Sequence, residues 1–362
     1  MSEYIELLDQ LIATPSISRE EGATASLLES FLRTHGVKVV NRLYNNVWAK
    51  AVVWDEAKPT LLLNAHHDTV KPNTAYTRDP FCPTHENGRI YGLGSNDDGA
   101  SLVSLIATFL HFYHQKLPFN LLLALTAEEE VTGINGSRAL IPHLLSNLPS
   151  LNENPIMGIV GEPTQMQCAI AERGLVVLDG VATGKAGHAA RNEGINALYI
   201  ALDDINRLRH FKFEKESGLL GPVKVTTTQI NAGTQHNVVP AECRFVVDVR
   251  TTDAYTNEEV VQLLQSMTQS TLTPRSTHIR ASAIDRQHPL VHTAEALNIP
   301  LFVSPTTSDQ TQMPFPTIKM GPGDSARSHS ADEWVGEQEI LDGIDIYIAF
   351  INHLRNKYET LG

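Results

Sequence analysis

Leu121-Leu122-Leu123-Ala124-Leu125-Thr126-Ala127-Glu128-Glu129-Glu130 passes without a break from apolar residues into adjacent acids. An apolar run with no polar alternation reads as a strand covered on both faces. Acids placed at its end are costly unless something cationic neutralises them. Alone, the segment also suits an acidic surface turn. Leu61-Leu62-Leu63 forms a second short apolar run, and Ser101 to Tyr113 between the two reads as a helix. Strand, helix and strand at this spacing predict an α/β sheet with a right-handed crossover. Pro155 to Val160 is a further strand candidate.

Working outward, Ile5, Leu8, Leu11 and Ile12 recur at helical spacing, as do Leu27, Leu28 and Phe31 in a helix starting near Glu20. After about residue 173 the character changes. The β-rich segments Leu175 to Val181 and Pro222 to Arg250 flank a helix around Asn196 to Leu208. A second helix, Asn257 to Met267, precedes a strand expected near His278 to Ala283. Short strands at Pro300 to Val303 and Thr317 to Met320 and a helix from Ile340 to Tyr358 follow. The expected class is α/β, with residues 1–173 and 284–362 forming a discontinuous domain on a mostly parallel mixed sheet. An α+β, ferredoxin-like domain of residues 174–283 is inserted into it.

The composition sets limits. The chain has 362 residues, 42% hydrophobic and 19% charged, which suits two globular domains. No stretch approaches the roughly 18 apolar residues of a membrane helix. Met1-Ser2-Glu3-Tyr4 lacks the basic start of a secretory signal, so a cytoplasmic protein is expected. Cys82, Cys168 and Cys243 are odd in number and widely spaced, which fits reduced thiols rather than disulfides or thiolate zinc fingers. A net charge of −13 argues against nucleic-acid or anionic-membrane partners.

Further groups of His, Asp and Glu follow the expected strands, where ligand sites of open α/β sheets lie. Ala65-His66-His67-Asp68 places His66 and Asp68 on one side of an extended chain. A carboxylate behind an imidazole fixes its tautomer and raises its basicity, although a polar turn would read the same. In Tyr91-Gly92-Leu93-Gly94-Ser95-Asn96-Asp97-Asp98-Gly99, small residues permit a sharp turn, and Asp97 or Asp98 could bridge two cations or cap the next helix. No GxGxxG or Walker lysine supports a phosphate loop. Gly161-Glu162-Pro163-Thr164 again follows an apolar run. Ser328-His329-Ser330-Ala331-Asp332-Glu333 follows the glycine-rich Met320-Gly321-Pro322-Gly323.

The joint order of these blocks is more specific than any one of them. HxD, Gly-x-Gly-x-x-Asp, Glu-Glu, Glu-Pro-Thr and a late His resembles the di-zinc family of acetylornithine deacetylase, succinyl-diaminopimelate desuccinylase, aminoacylase and glutamate carboxypeptidase. The resemblance spans essentially the whole chain. It implies two Zn²⁺ ions per subunit, with Co²⁺ or Mn²⁺ as possible substitutes. The implied ligands are His66, Asp97, Glu130, Glu162 and His329, with Asp97 bridging. Asp68 is the implied orienting partner of His66 and Glu129 the implied general base.

In the inserted part, Gly184-Lys185-Ala186-Gly187-His188-Ala189-Ala190 resembles the family segment whose histidine crosses a homodimer to the neighbouring active site. Asn237-Val238-Val239-Pro240 and Asp248-Val249-Arg250 resemble substrate-contacting lid motifs, and Arg173 sits where relatives carry a junction arginine. Ordinary turn hydrogen bonding for His188, and surface or hinge salt bridging for Arg173 and Arg250, are the plainer alternatives. Two departures stand out: Gly99-Ala100 replaces a frequent Lys-Gly pair, and Thr69-Val70-Lys71-Pro72 replaces a frequent Val-Val-Pro. The resemblance implies hydrolysis of an N-acyl amino acid, foremost N-acetyl-L-ornithine to L-ornithine and acetate in arginine biosynthesis. Acetyl- or succinyl-citrulline or -ornithine, succinyl-diaminopimelate and dipeptides are rival substrates. Lys185, Arg191 and Arg327 are candidate cations for a succinyl carboxylate. A non-catalytic metal-binding relative is the alternative of a different class.

Overall fold

The computed structural model describes residues 2–191 and 193–361. The chain divides into two compact units. The first comprises Met1–Ile170, Ile284–Phe302 and Ser308–Gly362, and the second Ala171–Ala283 and Val303–Thr307.

The first unit is built on a mixed sheet. Its centre is parallel: Asn120–Thr126, Thr60–His66, Ile156–Val160 and Thr317–Lys319 lie side by side in that order. Asn46–Lys50 and then Asn41–Leu43 add antiparallel strands at one side, and Cys168–Glu172 adds one at the other. Every residue of Thr60–His66 and Asn120–Thr126 is buried, as their unbroken apolar character requires. The helix Ala100–Phe112 supplies the crossover between them and buries most of its length. The last helix, Glu337–Leu361, packs against it.

The second unit runs strand, helix, strand, strand, helix, strand, with Lys224–Ala232, Glu242–Thr251, Gly174–Thr183 and Thr271–Pro274 adjacent in that order. This is the ferredoxin-like arrangement. Strand Gly174–Thr183 alternates buried and half-buried residues, and its core includes Val176, Leu178, Phe245, Val247 and Leu264.

One expectation needs correction. The strand that completes this sheet is Thr271–Pro274, and not the segment near His278 to Ala283. Only Leu272 of Thr271–Pro274 is buried, so no apolar run announces it. Of the expected stretch, Ser282–Ala283 is a short strand that pairs with Glu172 and Ala171, and Ile279 forms a single antiparallel bridge to Leu175. Among the described residues, no helix is long and apolar enough to cross a membrane.

Candidate metal centre

The parallel strands end at Thr126, His66, Val160 and Lys319. The acidic and histidine blocks begin at those carboxyl ends, where an open α/β sheet leaves its crevice. His66 is the last residue of its strand and buried. Its Nδ1 lies 3.0 Å from the Asp68 carbonyl and 3.4 Å from the Asp68 carboxylate. That side donates the proton, and Nε2 faces Asp97 Oδ1 at 3.2 Å. Asp68 is fully buried, and its carboxylate accepts the N–H of Glu129 at 3.0 Å, the N–H of Glu130 at 3.2 Å and the Ser18 hydroxyl at 2.7 Å.

The Glu129-Glu130 turn is held from a second side. Glu128 and Thr132 both adopt left-handed backbone, with φ of 55° and 46°. The Glu128 carboxylate accepts from Asn135 N and Nδ2 at 3.3 and 3.1 Å. The Asp97 turn is fixed by Glu333, which accepts the N–H groups of Gly94, Asn96 and Asp97 at 3.2, 2.9 and 2.9 Å. Gly94 has φ of 77°, and a Cβ there would meet Thr69 Cγ2 at 2.6 Å, so the glycine is required twice over.

These supports bring the candidate ligands together. One ligating atom each from His66, Asp97 and Glu130 lies within a mutual 4.8 Å, and the same holds for His66, Glu129 and Glu162. His329 Nε2 reaches Glu130 Oε2 at 2.9 Å and Asp97 Oδ2 at 3.7 Å. Asp98 stands in neither group. Its Oδ2 accepts weakly from His66 N at 3.4 Å and its Oδ1 has no partner.

Burial pushes the Glu129 carboxyl well up, and the charges of Glu162, Asp309 and Glu130 add to the rise. Burial raises Glu162 strongly too, with Lys319 opposing and Asp97 and Asp98 reinforcing the shift. Burial lowers His66, but its hydrogen bonds to Asp68 and Asp97 outweigh this and carry it well above the imidazole norm. The Glu130 hydrogen bond lifts His329 to about 9. So the cluster is a buried set of anions short of positive charge. Divalent cations fit it: the donors are imidazole nitrogen and carboxylate oxygen, which suit Zn²⁺, Mn²⁺ or Co²⁺.

Asp309 and Glu333 belong to the same neighbourhood. Asp309 is buried and accepts the Thr126 hydroxyl at 2.5 Å. Burial and the neighbouring charges raise both acids, Glu333 to about 8. Sequence reading gave neither a role. Asp309 follows no apolar run, and Glu333 is the last residue of the late histidine block. Nothing in the sequence sets Glu333 apart from the acids near it, because its contacts with the Gly94 to Asp97 turn exist only in the fold.

The remaining candidates lie in the second unit. His188 pairs with Val238 in a two-stranded ribbon, and Asn237 O accepts Ala189 N–H at 2.9 Å. The Gly-His-Ala and Asn-Val-Val motifs are therefore neighbours. His188 is exposed, and its Nδ1 accepts from Ala190 N at 3.1 Å. Arg250 forms a fork on Asp248 at 2.9 and 3.1 Å. Arg173 donates to the carbonyls of Pro222, at 2.8 Å, and Leu220. In the first unit, Arg327 places two nitrogens on Glu339 at 2.7 and 3.2 Å and stacks on Trp334.

The sequence matches the profile described as peptidase family M20/M25/M40 over residues 62–353. Succinyl-diaminopimelate desuccinylase 2 of Ruegeria sp. (strain TM1040) is 26% identical over 280 residues, 74% of this chain and 69% of that protein. Acetylornithine deacetylase of Proteus mirabilis (strain HI4320) is 27% identical over 375 residues, 92% of either chain. The fold is similar to that of a dinuclear metal-binding peptidase of the M20 family from Bacillus subtilis. The TM-score is 0.72 at 16% identity, over 98% of this chain and 97% of that one.

Proposed function

This chain belongs to peptidase family M20/M25/M40, and from that premise we propose that it hydrolyses the amide of a small N-acyl amino acid at a two-metal centre. The observation that carries this reading is that acids converge on His66 from two sides, Asp97 with Glu130 and Glu129 with Glu162. His66, Asp97 and Glu162 would hold one ion, and Asp97, Glu130 and His329 the other. Zn²⁺ is the metal we propose, with Co²⁺ or Mn²⁺ as possible substitutes. Two such cations polarise an amide carbonyl and acidify water near neutral pH.

The residues do the rest. Asp68 holds the His66 tautomer, leaving Nε2 as the donor atom. The Glu129 carboxylate takes the proton of the attacking water and returns it to the leaving nitrogen. In this reading residues 174–283 act as a lid and a homodimer contact. His188 of one subunit stabilises the oxyanion in the other, while Arg173, Asn237 and Arg250 meet the substrate. Exposed apolar residues on the second unit support the dimer: Tyr199 and Leu202 on the helix Ala197–His210 are 65% and 47% exposed, and Ile195 just before it is 55% exposed.

The leading substrate is N-acetyl-L-ornithine, which would place the enzyme in arginine biosynthesis, in the cytoplasm. Arg327 is committed to Glu339 and Trp334, which removes one cation that a succinyl carboxylate could use. The test is amine release from acetyl- and succinyl-ornithine, acetyl- and succinyl-citrulline, succinyl-diaminopimelate and dipeptides, by zinc-loaded and EDTA-treated protein. Turnover confined to a dipeptide would overturn the deacylase reading. No metal-dependent turnover of any of them would overturn amide hydrolysis.

A further inference from the structure

Lys319 closes the central strand Thr317–Lys319 and is 1% exposed. Among the described residues it is the one lysine or arginine that is buried. An ammonium is expensive to remove from water, so its neighbours must carry negative charge. Lys319 stands opposite Val160 in parallel register. The pairing continues past both strand ends, because Met320 N–H bonds to Val160 O at 2.9 Å and Gly161 N–H to Asn64 O at 2.7 Å. Side chains two apart on such a chain share a face, so Glu162 lies diagonally beside Lys319, within reach of a long side chain. Lys319 is also the largest influence holding the Glu162 carboxyl down against burial.

We propose that Lys319 is an internal counter-cation of the metal centre, a positioning residue that offsets the Glu162 carboxylate and keeps the ligand cluster assembled before metal binds. The proposal rests on the metal-centre reading for its purpose, but not for the coupling between the two residues. Glu162 shares its basin with Asp97, Asp98 and Glu129, so without Lys319 the nearby anions repel one another in a dry environment. Bound divalent cations supply the missing charge, so the metal-loaded protein depends on Lys319 less. The lysine thus matters most in the metal-free state.

The test is a double-mutant cycle of Lys319→Met and Glu162→Gln, read as the Tm of metal-free and metal-loaded protein. Lys319→Met should lower the metal-free Tm by about 4 °C or more beyond its effect on the loaded protein. Adding Glu162→Gln should restore most of the metal-free loss, and Lys319→Arg should retain near-parent behaviour. Equal losses in both forms, with the two substitutions additive, would overturn the proposal and leave an ordinary core lysine. If Lys319→Met yields no folded protein, the double variant decides: recovery of folding supports the coupling, and no recovery refutes it. The metal-free arm of the cycle needs no metal. Parent protein that binds none would therefore fail the metal-centre reading separately.

Discussion

The Asp68 carboxylate accepts the backbone N–H of Glu129 at 3.0 Å while its own carbonyl lies 3.0 Å from His66 Nδ1. One residue thus fixes the direction of a candidate ligand and the backbone of the candidate base. Asp68→Ala keeps the backbone carbonyl on His66 but removes the carboxylate 3.4 Å from Nδ1 and leaves the buried N–H groups of Glu129 and Glu130 without acceptors. Metal affinity should fall about 10- to 100-fold, as removal of such outer partners does elsewhere. Titration with a chromophoric chelator measures it, and an unchanged affinity would remove Asp68 from this role.

Glu129→Gln should retain its metals and lose roughly 10²-fold or more in turnover. Elemental analysis and amine release together check it. Near-parent activity would exclude Glu129 as the base.

His329→Ala and Glu130→Gln each remove a donor from the group formed around Asp97 and His329. Each should bring bound metal from about two ions per chain toward one. Retention of both ions in either variant would require a different ligand set.

His188 and Glu129 lie in different units. If His188 serves the neighbouring subunit, mixing His188→Ala with Glu129→Gln protein under exchange should regenerate activity. About a quarter of the parent rate is expected from statistical heterodimers with one intact site. Mixtures no more active than their parts would place His188 outside the partner's chemistry.

His85 bonds Asp9 through Nε2 at 2.9 Å and Glu337 through Nδ1 at 2.9 Å, tying the first helix to the start of the last. These contacts, led by Glu337, raise its proton affinity above the usual 6.5. A raised folded-state value means the stabilisation is complete below pH 6.5 and is lost as pH rises through the folded value. His85→Gln should therefore lower Tm at pH 6 and have little effect at pH 9. A loss independent of pH would show that packing, not charge, is what the ring contributes.

Much of the fold was readable because its centre is dry. Leu61-Leu62-Leu63 and Leu121 to Leu125 read as covered strands, and the residues after such strands line the crevice of an open α/β sheet. The positions of His66, Asp97, Glu129, Glu130, Glu162 and His329 in the chain pointed to one basin for this reason. Thr271–Pro274 was not readable, since an edge strand with one buried residue leaves no periodic trace. Asp309 and Lys319 were missed for a related reason. Charge inside a protein is meaningful only beside its neighbours, and these are about 180 and 160 residues away in the chain, at Thr126 and Glu162.

The grip of Glu333 on the Asp97 turn has a consequence for how the protein is made. A polypeptide leaving the ribosome exposes Asp97 long before Glu333 and His329 exist. Until residues 329–333 are synthesised, that turn lacks the acceptor for three of its amides, and His329 is not yet there to meet Glu130. A nascent chain can therefore fold its leading strands without owning a finished ion-binding basin. If the basin binds ions as proposed, capture has to await the synthesis of residues 329–333.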